Sequence, residues 1–301
     1  MISIAEIKEI FKGRISLNEP LARFTTFRIG GMADYYVEPS DAQDLLNIIN
    51  YINKRSVPFY VMGNGSNILI SDDGIRGVVI NLETGFNYLK NEGGKITAGA
   101  GVKMAKFVDF CIQNSRKGVE MLAGIPATVG GALVMNAGAY GGETSTYIDE
   151  VCVIKRGEIK TLSQEESGFG YRSSNLKDSV ILEASFILPE GNKEEISAIR
   201  KELLLKRNEA QPVEIPNAGC IFKNPEGNFA AKLVEDCGLK GTSYGGAMVS
   251  PKHANFIVNF DNASAIDVIE LIKIIRKTVK EKTGISLELE VKLIGFEEVT
   301  I

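Results

Sequence analysis

Residues 41–55, DAQDLLNIINYINKR, set Leu45, Ile48, Ile49 and Ile52 at i, i+3, i+4 and i+7, with polar residues between them. This spacing puts four apolar side chains on one stripe of a helix, and Ser40 or Asp41 is placed to cap it. After Pro58 the period changes. FYVMG, NILIS and GVVINL are short β-branched runs separated by glycine or Asp-Asp-Gly, and they predict strands joined by tight turns. KITAGAGV predicts another strand, and residues 104–116, with Phe107, Val108, Cys111 and Ile112, a second helix.

From Gly118 to Glu143 the chain is rich in glycine and small residues, a texture too glycine-rich for a stable helix and one that predicts a backbone-exposing loop region. Strand signals resume at EVCVIKRGEIKTL and SVILEASFIL, on either side of the polar GFGYRSSNLKD. EEISAIRKELLLKRN then predicts a helix with Ile196, Ile199 and Leu203 on one face. Beyond Pro212 and Pro216, Val268, Ile272, Ile275 and Val279 share a face of a long helix over about 264–282, and ISLELEVKLIGF alternates as a strand does. The order of elements predicts an α+β protein of two units, divided near 190–212.

Composition narrows the functional classes. With 301 residues, 44% of them hydrophobic, the chain can bury a sizeable core, and two domains are expected. A formal net charge of −4 gives no global attraction to nucleic acid. Cys111, Cys152, Cys220 and Cys237 show no CxxC spacing and His253 is the single histidine, so no metal site is expected. Glu6 and Glu9 interrupt the apolar residues of the first segment, and no run reaches the roughly 18 apolar residues of a membrane span. A cytoplasmic, monomeric chain with reduced thiols is the expectation.

Five stretches could carry chemistry. In GNGSN, Gly63, Asn64, Gly65, Ser66 and Asn67 could form a nest of backbone N–H groups for phosphate oxygens, or a plain hairpin turn. The stretch departs from the dinucleotide fingerprint, because no glycine closes it and a strand is predicted to follow. The second loop, GIPATVGGALVMNAG, is long enough to suggest function. It offers Gly124, Ile125, Pro126, Ala127, Thr128, Gly130, Gly131, Asn136, Ala137 and Gly138 as a second wall against a flat cofactor and its pyrophosphate. In YRSS, Tyr171 precedes Arg172, whose planar fork suits a carboxylate or phosphate. In NAGCIFKNP, Cys220 is either small core filler or an acid or nucleophile beside Lys223 and Asn224. In LELEVKLIG, Glu288 and Glu290 fall on one side of a strand, on a solvated face or in a cleft.

Together with PLARFTTFRIGGMADYYVEP, AAKLVEDCGLKG and GGAMVSPKHANFIVN, these stretches in this order resemble the UDP-N-acetylenolpyruvoylglucosamine reductase family over nearly the whole chain. The resemblance implies an FAD-binding domain of the vanillyl-alcohol-oxidase/PCMH type over 1–195, in two subdomains split near residue 80. A smaller α+β substrate-binding domain over 196–301 would follow, its last strand returning to the active site. It further implies that NADPH reduces the bound FAD, and that the enolpyruvyl double bond of UDP-N-acetylglucosamine enolpyruvate then accepts hydride to give UDP-N-acetylmuramate, a peptidoglycan precursor. Carried over by motif, Arg172 and Glu290 stabilise the enolic intermediate, Cys220 delivers the proton, Tyr171, Lys223 and Asn224 help to place substrate, and the two glycine-bearing loops hold FAD. Cys220 stands where the familiar pattern has serine. Its thiol, with an ordinary pKa of about 8.5, is a stronger acid than a hydroxyl. Ala210 stands where many relatives place a lysine, and the segment from Arg172 to Cys220 is too short for the extra tyrosine loop of one subclass.

Overall fold

The structure is a computed structural model and describes residues 3–296. The helix predicted at 41–55 forms over Ala42–Lys54, and Asp41 caps it by accepting the Asp44 N–H. Leu45, Ile48, Ile49 and Ile52 are all buried, each such side chain contributing about 1.5–3 kcal/mol. The second helix forms over Met104–Gln113 on buried Phe107, Val108 and Cys111. One sheet orders its strands Arg14–Pro20, Met32–Glu38, Ile75–Asn81 and Phe59–Met62. A second, of five strands, runs Glu158–Ser163, Ile148–Lys155, Val180–Ile187, Lys95–Gly99 and Leu89–Glu92, antiparallel throughout.

The described chain forms two compact units. One holds the chain up to Leu17 with Tyr35–Asn64 and Gly77–Arg207; the other holds Asn18–Asp34, Gly65–Arg76 and the chain from Asn208 on. Each has its own apolar core. In the first, Phe107 and Phe186 meet with ring centroids 4.6 Å apart. In the second, Val268, Ile272, Ile275 and Val279 of the helix Ala265–Thr283 are buried together with Val249, Ile257 and Leu69. A four-stranded sheet in the order Asn217–Cys220, Phe256–Asn259, Ala247–Val249, Ser243–Tyr244 belongs to this second unit.

Several expectations are corrected. Phe59–Met62 and Ile68–Ile70 do not form a hairpin, because Phe59–Met62 pairs in parallel with Ile75–Asn81 and Ile68–Ile70 in parallel with Lys292–Ile294. The alternation in ISLELEVKLIGF becomes a named strand only over Lys292–Ile294, although Leu287 and Val291 are buried as the alternation implies. The glycine-rich stretch is not all loop. Val129–Val134 is helical because Thr128 caps it and Gly130 lets it approach Ala100, where a Cβ would lie 2.9 Å from the Ala100 Cβ. In the helix Lys193–Ala210 only Ile196 is buried and Ile199 is 50% exposed, so that face packs less completely than its period suggests.

The C-terminal helix is capped twice. Ser264 and Asp267 form a capping box, and Asp72 reaches in from a distant part of the chain, its carboxylate accepting the Ala265 and Ile266 N–H groups. Asp72→Ala is expected to cost about 1 kcal/mol of stability, read as a lower denaturant midpoint, with Asp72→Asn retaining part of it. The backbone N–H of Ser264, foremost among the groups bonded to Asp267, holds that carboxyl below the ordinary range. Its contribution is therefore present above the unfolded-state pKa and lost as pH falls through the lowered folded value.

Candidate active site

In the first unit a cavity of about 500 Å³ opens beside the second glycine loop. Its walls are apolar, from Ile49, Val61, Leu82, Val134 and Ile181, and are interrupted by Gly63, Gly101, Gly130 and Gly131. Its polar lining comes from Asn53, Tyr60, Thr128 and Ser179, with two cations, Arg156 and Lys177, and two acids, Glu83 and Asp178. Burial pushes the Tyr60 phenol up to about 12, so it stays protonated near neutral pH and can donate. Gly63 is required by close approach: a Cβ there would lie 2.4 Å from the Thr128 Oγ1 that caps the helix Val129–Val134 by accepting the Gly131 N–H. Asn64 donates to the Pro126 carbonyl at 2.7 Å, tying this end of GNGSN to the GIPAT segment. A slot with apolar walls and bare glycine backbone suits a flat aromatic ring system. The residues present therefore fit FAD.

Not every backbone group in the second loop is available to a ligand. The Val129 and Gly130 N–H groups donate to the Val102 and Ala100 carbonyls, at 2.8 and 2.9 Å. Asn136 is buried, and both protons of its amide are taken, by Glu143 Oε2 and by the Gly170 carbonyl, while its Oδ1 accepts the Ser145 N–H. Gly124, partly buried, meets the Arg207 side chain. Ile125, Ala127, Ala137 and Gly138 are likewise partly buried, and Pro126 is exposed.

Arg172 sits in the same unit on a tight turn, in which Gly170 and Ser173 exchange both backbone hydrogen bonds, at 3.0 and 3.2 Å. Its φ of 53° is left-handed, a conformation that costs a side-chain-bearing residue about 1 kcal/mol or more. The side chain leans over the exposed Tyr171 ring, 5.2 Å from the centroid, and Nη2 donates to the Gly138 carbonyl. The left-handed backbone and the bond to Gly138 tie this arginine to the second loop.

The second unit brings Cys220 and Glu290 together. Cys220 ends the strand Asn217–Cys220 opposite Phe256, after a register shift in which Gly219 takes a φ of 73°. Such a bulge re-aims the side chain that follows it. Cys220 is only partly buried. The segment Glu288–Glu290 runs alongside Ile221–Lys223: the Lys223 N–H donates to the Glu288 carbonyl at 2.9 Å and the Glu290 N–H to the Ile221 carbonyl at 2.8 Å. Asn67 joins this segment by donating to the Glu290 carbonyl at 3.2 Å and accepting the Lys292 N–H at 3.0 Å. Gly65, buried and left-handed at φ 60°, and Ser66 lead into it.

The two glutamates separate by environment. Exposed Glu288 pairs with Lys223 Nζ at 2.5 Å, and that lysine holds its carboxyl below the ordinary range, whereas Glu290 is partly buried. Asn224 is exposed, and its Oδ1 accepts the Ala230 N–H at 3.0 Å. Sequence reasoning missed Asn255, whose side chain both accepts from the Phe222 N–H and donates to the Phe222 carbonyl, at 3.0 and 2.8 Å. It also missed Tyr60, Arg156 and Lys177, which line the cavity.

Comparison with known proteins decides the family. Residues 33–163 match the family described as an FAD binding domain, and residues 211–294 match the UDP-N-acetylenolpyruvoylglucosamine reductase C-terminal domain. A UDP-N-acetylenolpyruvoylglucosamine reductase from Caldanaerobacter subterraneus subsp. tengcongensis is 45% identical over 298 residues, covering 98% of each chain. The chain belongs to the UDP-N-acetylenolpyruvoylglucosamine reductase family. A reductase of the same name from Chloroherpeton thalassium is 43% identical, with 99% of each chain covered. The crystal structure of the Thermus caldophilus reductase superposes with a TM-score of 0.81 at 36% identity, over 94% of this chain and 99% of the other. The protein is thus an FAD-dependent oxidoreductase, with an FAD-binding domain followed by the family's C-terminal domain in an α+β fold, as the motif resemblance implied.

Proposed function

We propose that the protein reduces the enolpyruvyl group of UDP-N-acetylglucosamine enolpyruvate to UDP-N-acetylmuramate, with NADPH as reductant, in the cytoplasmic synthesis of peptidoglycan precursors. The observation that carries this reading is family membership over 98% of the chain, C-terminal domain included. An oxidase that kept only the flavin domain would not be expected to match over 211–294.

FAD would be held in the cavity against the Gly63 and Gly131 walls, and when bound would supply the two-electron chemistry between NADPH and sugar. The protein's own residues handle charge and proton. Reduction at the terminal carbon of the enolpyruvyl group leaves negative charge delocalised onto the substrate carboxylate. The Arg172 guanidinium meets that charge with two donors in one plane. Glu290 stabilises the same enolic form by hydrogen bonding. The Cys220 Sγ–H delivers the proton to the carbon beside the carboxylate, leaving a thiolate that solvent reprotonates through its exposed side. Lys223 and Asn224 border the Cys220 strand and help to place the sugar.

The test is steady-state NADPH oxidation by the purified yellow holoenzyme with and without the enolpyruvyl sugar. Sustained oxidation that requires the sugar, with UDP-N-acetylmuramate accumulating one for one, is expected. Equal NADPH oxidation in its absence would rule the reading out.

A further inference from the structure

We infer that Asn136 is a positioning residue for Arg172, holding the turn that presents the guanidinium to the substrate carboxylate. The inference rests on the proposed function and extends it to a residue that touches neither substrate nor cofactor through its side chain.

Asn136 has a backbone role that its side chain does not serve. It follows the helix Val129–Val134 with a φ of 42°, its N–H donating to the Leu133 carbonyl and the next N–H, of Ala137, to the Ala132 carbonyl. This left-handed stop needs no side chain, and glycine is its commonest solution. The side chain instead makes three hydrogen bonds while fully buried: Nδ2 to Glu143 Oε2 at 2.8 Å and to the Gly170 carbonyl at 3.1 Å, and Oδ1 from the Ser145 N–H at 3.2 Å.

Gly170 opens the turn that carries Arg172. Its carbonyl thus accepts from both the Ser173 N–H inside the turn and the Asn136 amide outside it. On the far flank Ser174 Oγ donates to the Val134 carbonyl at 2.9 Å, and Arg172 Nη2 itself reaches Gly138. A turn that holds a non-glycine residue left-handed is strained and persists only when its surroundings over-determine it. The segment 134–138 supplies that constraint on both sides, and Asn136 is its buried member.

Asn136→Gly separates the two roles, keeping the helix stop and deleting the amide. Anaerobic half-reactions give the readout. Flavin content and reduction of the flavin by NADPH are expected to stay at wild-type values. Reoxidation by the enolpyruvyl sugar should slow on the order of 10²-fold, in kcat rather than KM, as displacement of a catalytic group by about 1 Å does. Equal slowing of both half-reactions, loss of flavin, or unaltered sugar reduction would overturn the inference. The double variant Asn136→Asp with Glu143→Gln keeps a bond between these two side chains but lacks the donor to Gly170. It is expected to remain slow, and recovery of wild-type sugar reduction would show that the Gly170 bond is irrelevant. Wild-type holoenzyme whose reduced flavin is not reoxidised by the sugar would bring down the functional reading itself, a result distinct from any failure confined to the variants.

Discussion

Cys220→Ala is expected to leave reduction of the flavin by NADPH intact and to slow reduction of the enolpyruvyl sugar by roughly 10²–10⁴-fold, the usual worth of a positioned acid. In the proposed role the thiol must be reachable by substrate. It is only partly buried, it follows a left-handed glycine at a break in strand register, and the next residue's carbonyl receives the Glu290 N–H. Cys111 and Cys237, both buried, contrast with it. Cys111 is buried in the first core, and burial pushes its thiol far above the ordinary range, where it serves as packing. Cys220→Ser should recover much of the rate, since a hydroxyl can occupy the same place as donor. Sugar reduction by Cys220→Ala at the wild-type rate, measured by anaerobic rapid mixing, would return Cys220 to structural filler.

Arg172→Gly is expected to lower sugar reduction by about 10²–10³-fold while changing stability by less than about 1 kcal/mol. Two effects nearly cancel in the fold. Glycine relieves the left-handed strain at φ 53°, about 1 kcal/mol, but adds flexibility to the unfolded chain and removes the bond to Gly138. No such cancellation operates in catalysis, where the guanidinium is simply gone. A large drop in melting temperature that accounts for the activity loss would mark Arg172 as a structural residue.

Where one face of a helix is buried, the sequence was enough to find the element. Leu45, Ile48, Ile49 and Ile52, and likewise Val268, Ile272, Ile275 and Val279, lie at 0–2% exposure because a 3.6-residue period reports burial of one face directly. The same period misled at Ile199, because a helix can carry apolar residues on a face that little covers. Strand partners were not legible. Nothing local in NILIS says that it pairs with residues more than two hundred positions away, and a two-residue period marks a strand without naming its neighbour. The Val129–Val134 helix was hidden because Gly130 and Gly131 lower its propensity, whereas the deciding terms, the Thr128 cap and contact with Ala100, are tertiary.

The candidate site divides in the same way. Arg172, Cys220 and Glu290 were singled out by motif order, whereas the residues taken alone left Cys220 evenly balanced and favoured a solvated surface for Arg172 and Glu290. The long-range supports had no such signal. Asn136 to Gly170, Asn255 to Phe222, and Asp72 to Ala265 join residues far apart in the chain through single polar side chains. Their residue types are common in loops for many reasons, so only the folded geometry shows what each one holds.

The central claim is that this flavoprotein passes electrons to an enolpyruvyl sugar. Its most direct test is to reduce the holoenzyme anaerobically with one equivalent of NADPH, mix it with UDP-N-acetylglucosamine enolpyruvate, and follow the flavin absorbance. Rapid return of the oxidised spectrum with one equivalent of UDP-N-acetylmuramate is the result predicted; flavin that stays reduced in the presence of the sugar would contradict the account.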